Sequence, residues 1–384
     1  MKHFRLENSD YMKILIACDK FKGSLTAPEA CEAVAAGLAE TLGDSANEIQ
    51  LLPIADGGDG MARALTAAGS GEWVTCQVKN ALGETTEAGY GMIKASKVAV
   101  IEMAEASGLA QMESRDLDPW VASTFGTGEL ILDAVRHGVE EIVLGIGGSA
   151  TNDGGSGMAE ALGFRFLNSQ GEPVDSLPAD LEKAVKIVTP SSLNLPKITV
   201  ACDVTNPLLG QSGCTTIYGQ QKGIKPSDLA RHEKRLLHLV RICGERGSGC
   251  ADQPGAGAAG GLGFGSLVFL SAQLVPGFEL VAEVLDLEKS VRWADLVITG
   301  EGKLDHQSLN GKAPHGIVKL ARRNGISTAT FCGLLEDRAL ENEFGPICEI
   351  RDPNLSIETN MTIGAKRLRE TSSKFAYSLL HASP

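Results

Sequence analysis

The patterned part of the chain opens with a compact apolar run, Lys13–Ala17 (KILIA), which reads as a buried strand. Thr26-Ala-Pro-Glu29 has the form of a capping box with proline in the first turn, and predicts a helix through about Leu42. Glu48–Leu52 predicts a second strand and Met61–Ala68 a second helix, with the polar loop Ala55–Gly60 (ADGGDG) between them. This alternation is the wording of a parallel sheet with helices on its faces. From Trp73 to Met103 the period shortens, and Asn80–Gly83 reads as a turn between antiparallel strands. Helical patterning returns over Gly128–His137. Glu141–Gly145 is a strand running into Ile146–Gly157 (IGGSATNDGGSG), with a helix near Met158–Leu162. Gly171–Pro196, rich in Pro, Ser and Asp, reads as irregular. Downstream, Ile198–Cys202, Asp295–Thr299 and Thr328–Cys332 read as strands. Leu229–Val240, with charge on one side, Ala313–Arg322 and Ile363–Leu380 read as helices.

The two chain ends share this grammar, whereas the middle reads differently. The expected organisation is a disordered lead over residues 1–11, a first α/β domain from 12–74 plus 286–384, and an inserted second α/β domain over 75–285. A length of 384 residues suits two domains, and insertion is tolerated because domain termini often lie close together.

Composition narrows the function. With 35 Lys and Arg against 48 Asp and Glu, the net charge is −13, which disfavours a nucleic-acid or anionic-membrane binder. A small anionic substrate stays open if cations gather locally. Nine cysteines, an odd count with no Cys-x-x-Cys, read as reduced thiols in a cytoplasmic protein. Met1–Tyr11 lacks the apolar core of a signal peptide. The longest uncharged stretch, Gln253–Phe278, carries seven Gly and two Pro, and reads as a glycine loop plus a buried helix rather than a membrane span. The 45 glycines cluster between apolar runs, as in loops whose backbone approaches something closely.

Five strand-to-loop junctions carry the candidate chemistry: Asp19–Ser24, Asp56–Gly60, Gly147–Gly157, Asp203–Asn206 and Gly300–Asp305. In open α/β sheets, ligands bind outside the carboxyl ends of strands. Asp, Lys, Ser, Asn and Gly there suit phosphoryl transfer, in which positioning and neutralisation of the migrating charge do most of the catalysis. Asp56 and Asp59 read either as a metal- or hydroxyl-orienting pair or as a turn with an Asp N-cap. Gly147–Gly157, with Gly148, Ser149, Asn152 and Asp153, reads as an anion-cradling nest or as a purely structural glycine turn. Gly145-x-Gly147-x-x-Ala150 matches a dinucleotide fingerprint only formally, because the helix does not start there. Lys20 and Lys22, beside Ser24, could face one phosphate or simply be solvated. Lys222 and Lys312 are weaker versions of that signal. Pro254–Gly265, with Gly257 and Gly260, fits a nucleotide loop or tight packing by small residues. Glu301 and Asp305 could hold a metal or contact ribose, and His306 is a weak base candidate. The seven histidines lack zinc spacing, and no Gly-x-Ser-x-Gly elbow is present.

Taken together and in order, CDKFKGSL (18–25), ADGGDG (55–60), IEMAEASG (101–108), GTGELI (126–131), Gly145–Gly157, VACDVTNP (200–207), PGAGAAGG (254–261) and LVITGEGK (296–303) resemble the glycerate kinase family of the glycerate 2-kinase type. The family usually has Pro-Asp-Ser-Phe-Lys at the first of these loops and Glu-Gly-Thr at the end of the second, where this chain has Cys18–Lys22 and Asp59-Gly60-Met61. The resemblance implies one flavodoxin-like domain with a parallel sheet and one restriction-endonuclease-like domain. It implies ATP-dependent phosphorylation of D-glycerate with Mg²⁺, the active site lying in the interdomain cleft. On this basis Asp56, Asp59 and Lys22 are assigned to catalysis, and Ser24, Gly148, Ser149, Asn152 and Asp153 to the substrate. Gly257, Gly260, Glu301 and Lys222 are assigned to the nucleotide, and Asp203 and Asp305 to the metal. The 2- or 3-hydroxyl as acceptor, a sensor without turnover on the same scaffold, and a homodimer stay open.

Overall fold

The computed structural model describes residues 12–43, 47–55, 60–112, 117–309 and 313–381. The expected disordered lead, Asp56, Asp59 and Lys312 lie outside them. Along the chain run β1 (Met12–Cys18), α1 (Ala27–Leu42), β2 (Asn47–Leu51), α2 (Met61–Ala68), β3 (Glu72–Lys79), β4 (Thr85–Ile93), β5 (Val98–Glu102), α3 (Ala104–Ser107) and α4 (Phe125–Arg136). There follow β6 (Glu141–Gly145), α5 (Ser156–Ala161), β7 (Arg165–Leu167), β8 (Lys186–Val188), β9 (Lys197–Ala201), α6 (Cys214–Tyr218), α7 (Leu229–Ile242), α8 (Gly244–Ala251) and α9 (Ala258–Gly265). The last third holds β10 (Gln273–Val275), α10 (Gly277–Val284), α11 (Leu287–Trp293), β11 (Leu296–Leu304), α12 (Ala313–Arg323), β12 (Ser327–Leu335), α13 (Glu341–Phe344), β13 (Ile347–Glu349), α14 (Ile357–Thr362) and α15 (Gly364–Leu380).

These elements form two compact units, residues 1–56 with 278–384, and residues 57–277. α2 and the start of β3, expected in the first domain, belong to the second unit, because α2 packs on β3, β4 and β5. Phe278 belongs to the first unit, where its ring lies against Gly316 of α12.

The first unit carries a five-stranded sheet in the order β13-β12-β11-β1-β2, parallel throughout. Counted within the unit this is 2-1-3-4-5, the flavodoxin-like order. β1 shows why it needs helices on both faces. Ile14, Ile16 and Cys18 point into one core with Val34 and Leu38 of α1 and Leu368 of α15. Leu15 and Ala17 point into another with Val291 of α11 and Ile317 of α12. Burying each Ile or Leu is worth about 1.5–3 kcal/mol. α1 begins as its sequence asks: Thr26 Oγ1 accepts from Glu29 N, and Glu29 Oε2 accepts from Thr26 N at 2.8 Å.

β11 corrects the sequence reading. Gly300–Lys303, expected as a loop, continues the strand to Leu304. β12 pairs with it through Gly300↔Phe331 and on to Leu304↔Leu335. Pairing along this length overrides the loop-like composition.

The second unit holds a mixed six-stranded sheet, β10-β9-β6-β5-β4-β3. β3, β4 and β5 pair antiparallel, and β5, β6, β9 and β10 parallel. Asn80 Oδ1 accepts from Leu82 N and Glu84 N, closing the expected β3–β4 turn. The stretch 171–196, expected irregular, contains β8, which pairs with β7 as a small antiparallel hairpin. No described helix is long and apolar enough to cross a membrane.

The contact between α1 and α15 supplies a stability test. A Cβ on Gly37 would sit 2.1 Å from the Arg369 carbonyl oxygen, a backbone atom that cannot rotate aside. Gly→Ala in a helix gains about 1 kcal/mol of propensity, whereas forced overpacking costs about 1–3 kcal/mol. Gly37→Ala should therefore lower stability by up to about 2 kcal/mol, read as a lowered urea midpoint.

Candidate active site

In the second unit the carboxyl end of β6 opens into the glycine-rich loop 146–155, and that of β9 into residues 202–207. The β6 loop is organised around Asp153, fully buried. Its Oδ2 accepts from Thr124 N at 2.9 Å, Thr124 Oγ1 at 2.8 Å and Gly157 N at 3.1 Å. Its Oδ1 accepts from Gly155 N at 2.9 Å. Asp153, expected at the substrate, is enclosed by the protein. Its negative charge instead holds together backbone amides at the starts of α4 and α5.

Its neighbour Asn152, also buried, is tied differently. Nδ2 donates to Thr215 Oγ1 of α6 at 3.1 Å, and the Asn152 carbonyl accepts from Arg235 Nη2 of α7 at 3.0 Å. Asn152 Oδ1 and Thr151 Oγ1 are buried with no hydrogen-bond partner among the described residues. Buried polar atoms are rarely left so, and such exceptions gather where a ligand or ordered water belongs.

Beside them, Lys222 Nζ donates to Ser149 Oγ and to the Thr151 carbonyl, both at 2.7 Å. Lys222 is only 2% exposed. Burial pulls its ammonium down to about 8, against the opposing pull of Cys214 and Asp153. Gly147 and Gly148 lie exposed at the rim, and Gly148 has φ 71°. Ser149 forms a bridge with Gly108, fastening the loop to the end of α3.

The second glycine loop packs on the first. Ala259, Gly260 and Gly261 run through left-handed backbone, with φ of 53°, 66° and 89°. A Cβ on Gly260 would stand 1.9 Å from the Thr151 carbonyl, and one on Gly257 would stand 2.2 Å from the Pro207 carbonyl. These two positions need glycine for close approach of backbone to backbone. Asp203, exposed past β9, accepts from Gly277 N at 2.7 Å. A cavity of about 790 Å³ in this unit lies at the opposite end, beside Lys197 and Ile198 where β9 begins, and away from these loops.

In the first unit the end of β1 lies beside the middle of β11, with Cys18 opposite Gly300. Asp19 N donates to the Gly300 carbonyl at 2.8 Å. A Cβ on Gly302 would stand 2.9 Å from Lys22 N, so glycine there lets the Lys22 loop lie on β11. Lys22 is exposed and Glu301 is buried. Ser24 Oγ donates to the Met361 carbonyl at 2.5 Å, which ties the loop to α14. Asp305 Oδ2 lies 3.3 Å from Lys303 Nζ, and its Oδ1 accepts from Ser308 N at 3.2 Å.

The structure thus gathers Ser149, Asn152, Asp153, Lys222 and Gly260 in one cluster, with the Gly257 turn beside it, across the division into substrate and nucleotide residues drawn from the sequence. Lys22, Ser24, Glu301 and Asp305 belong to the other unit. Three residues were missed. Arg235 lies on the helix read as charged on one side, yet is 1% exposed. It donates to the Pro119, Trp120 and Asn152 carbonyls. Burial lowers it to about 10, and Trp120 stacks on the neighbouring His232. Thr124 clamps Asp153. Glu102, buried at the end of β5, accepts from Gly60 N and Ala62 N and so caps α2. Its place in IEMAEASG, after an apolar strand, was the available signal. Arg235 had little, because three of its partners are carbonyls distant in sequence and the fourth, His232 Nδ1 at 3.1 Å, sits on its own helix.

The glycerate kinase family model matches residues 14–380. The chain belongs to the glycerate kinase family. A glycerate kinase of Halalkalibacterium halodurans is 44% identical over 327 residues, covering 84% of this chain and 85% of that one. A glycerate 2-kinase of Escherichia coli is 40% identical over 332 residues, covering 85% and 86%. A crystal structure from Salmonella typhimurium LT2, with the provisional name glycerate kinase 2, superposes with a TM-score of 0.88 at 37% identity, covering 98% of this chain and 99% of that one. Membership of the glycerate kinase family makes the chain a phosphotransferase with an alcohol acceptor, on the mixed α/β fold described above.

Asp153→Asn would turn an NH₂ group toward at least one amide donor and remove the charge they share. Hydrogen bonds to ionised groups are worth about 1.5–3 kcal/mol. The substitution should cost about 3 kcal/mol, measured by urea unfolding followed in the far-ultraviolet circular dichroism.

Proposed function

We propose that this protein is a glycerate 2-kinase, transferring the γ-phosphoryl group of ATP to the 2-hydroxyl of D-glycerate with Mg²⁺. The observation that supports this reading most directly is the donor cluster around Ser149 and Lys222, set on the glycine-rich β6 loop of a glycerate kinase family chain. The 2-position is favoured by the 40% identity to the E. coli protein named for it. The Gly147–Gly157 loop, with Gly148, Ser149 and Asn152, takes the glycerate carboxylate. Lys22 supplies positive charge, and Asp56 or Asp59 orients or deprotonates the acceptor hydroxyl. Gly257, Gly260 and Glu301 serve the nucleotide. Localisation is proposed as cytoplasmic, in keeping with nine free cysteines.

Among the described residues no three His, Cys, Asp or Glu side chains gather as a metal cage. Magnesium bound with a nucleotide asks for less, one or two carboxylates with phosphate oxygens and water. Asp203, exposed beyond β9, and Asp305, beside Lys303 at 3.3 Å, are the carboxylates proposed for it. The ion would neutralise charge on the phosphate oxygens.

An ADP-release assay with D-glycerate, L-glycerate and hydroxypyruvate, and phosphorus NMR of the product, tests the proposal. Turnover with D-glycerate, abolished by chelation and yielding the 2-phosphate, is expected; the 3-phosphate, or binding without ADP release, overturns it. Asp56→Asn should lower kcat by at least about 100-fold while the KM for ATP changes by less than about twofold. An unchanged kcat removes Asp56 from the reaction.

A further inference from the structure

Lys222 sits where its own ammonium has little access to a ligand. It is 2% exposed, while Ser149, which it contacts, is 6% exposed and lies next to the exposed Gly147–Gly148 rim. A protonated lysine has three donors and no acceptor. With Nζ donating to Ser149 Oγ and the Thr151 carbonyl, the Ser149 hydroxyl proton cannot point back at Lys222. It is left to be donated elsewhere.

We propose that Lys222 is a positioning residue that acts through Ser149, holding the hydroxyl so that its proton faces an anionic oxygen of the substrate, the carboxylate of glycerate. This rests on the reading of the Gly147–Gly157 loop as the substrate loop. Lys222, expected from sequence at the nucleotide, then never touches a ligand itself. Donation of the same kind to the Thr151 carbonyl keeps Thr151 and Asn152 in register with Ser149. Arg235, donating to the next carbonyl at 3.0 Å, does the same from α7.

The arrangement depends on protonation with a definite sign. Below about 8, the value to which burial brings Lys222, the ammonium is a pure donor and the serine proton points away. Above it, the neutral amine carries a lone pair, the Ser149 hydroxyl can donate inward, and an oxygen lone pair meets the anion. The KM for glycerate should therefore rise as pH climbs through that value. The groups facing Lys222 are Cys214 on α6 and Asp153 on the β6 loop, with Arg235 from α7 beyond Asn152. Burial pushes Cys214 up to about 11 and Arg235 down only to about 10, and holds His232, beside Arg235, near 4, so none of these changes charge near 8.

The test is a double-mutant cycle with pH profiles on the full chain, using D-glycerate and ATP. Ser149→Ala should raise the KM for glycerate about 10- to 100-fold, the span of a hydrogen bond to a charged group, leaving the KM for ATP within about twofold. Lys222→Met should raise it similarly in the wild-type background and add nothing in Ser149→Ala. The alkaline rise in KM should be present in the wild type and absent from Ser149→Ala. If Lys222→Met does not fold by circular dichroism, this pH comparison decides alone. An unchanged KM in Ser149→Ala overturns the substrate-loop reading itself. A raised KM in Ser149→Ala with additive effects, or with the alkaline rise retained, leaves that reading standing and overturns the proposal. A rise in the KM for ATP instead of glycerate overturns the carboxylate as the acceptor.

Discussion

A buried carboxylate is tolerated only where donors replace its water, and Asp153 meets that condition with four of them, three backbone amides and one hydroxyl. The candidate site depends on this single charge. It gathers amides from the start of α4, from the glycine turn and from α5, and fixes the backbone on which Ser149 and Asn152 stand. Its opposite charges are Lys222 and Arg235, whose protonated forms it favours. Neither lies within ion-pair distance of it among the described residues. The ammonium and guanidinium instead spend their donors on carbonyls, a hydroxyl and the His232 ring nitrogen. Charge is balanced at a distance while hydrogen bonds are satisfied locally, which spares the loop a rigid buried ion pair.

The glycines complete the same design. Gly257 and Gly260 approach carbonyl oxygens so closely that no side chain fits. The carbonyl met by Gly260 is that of Thr151, which also accepts from Lys222. One backbone group is thus held by a cation on one side and packed by bare backbone on the other. The first unit repeats the device at Gly302, where the Lys22 loop lies down.

Much of this was legible in the sequence, for identifiable reasons. KILIA and the Thr26–Glu29 box are local signals, and both formed as read. The strand-end loops were visible because apolar runs stop abruptly at glycine and aspartate. What stayed hidden depends on partners distant in sequence. Gly300–Lys303 looked like a loop because nothing local shows that β12 lies beside it. Arg235 looked solvated because its acceptors beyond its own helix, the carbonyls of residues 119, 120 and 152, carry no side-chain signature. Asn152 and Asp153 looked equivalent, yet one is left with an unmatched oxygen and the other is saturated.

The parallel sheet of the first unit has a consequence for how the chain is made. β1 is an interior strand, lying between β2 and β11, and Ile14 finds its second neighbour only at Leu296. At synthesis rates of about 5–20 residues per second, that neighbour leaves the ribosome on the order of tens of seconds after β1. During that interval an apolar strand has one open edge, while the intervening unit, contiguous in sequence, has every residue it needs to fold. The nascent chain is therefore most exposed to misassociation at β1, and chaperone contact would be concentrated there.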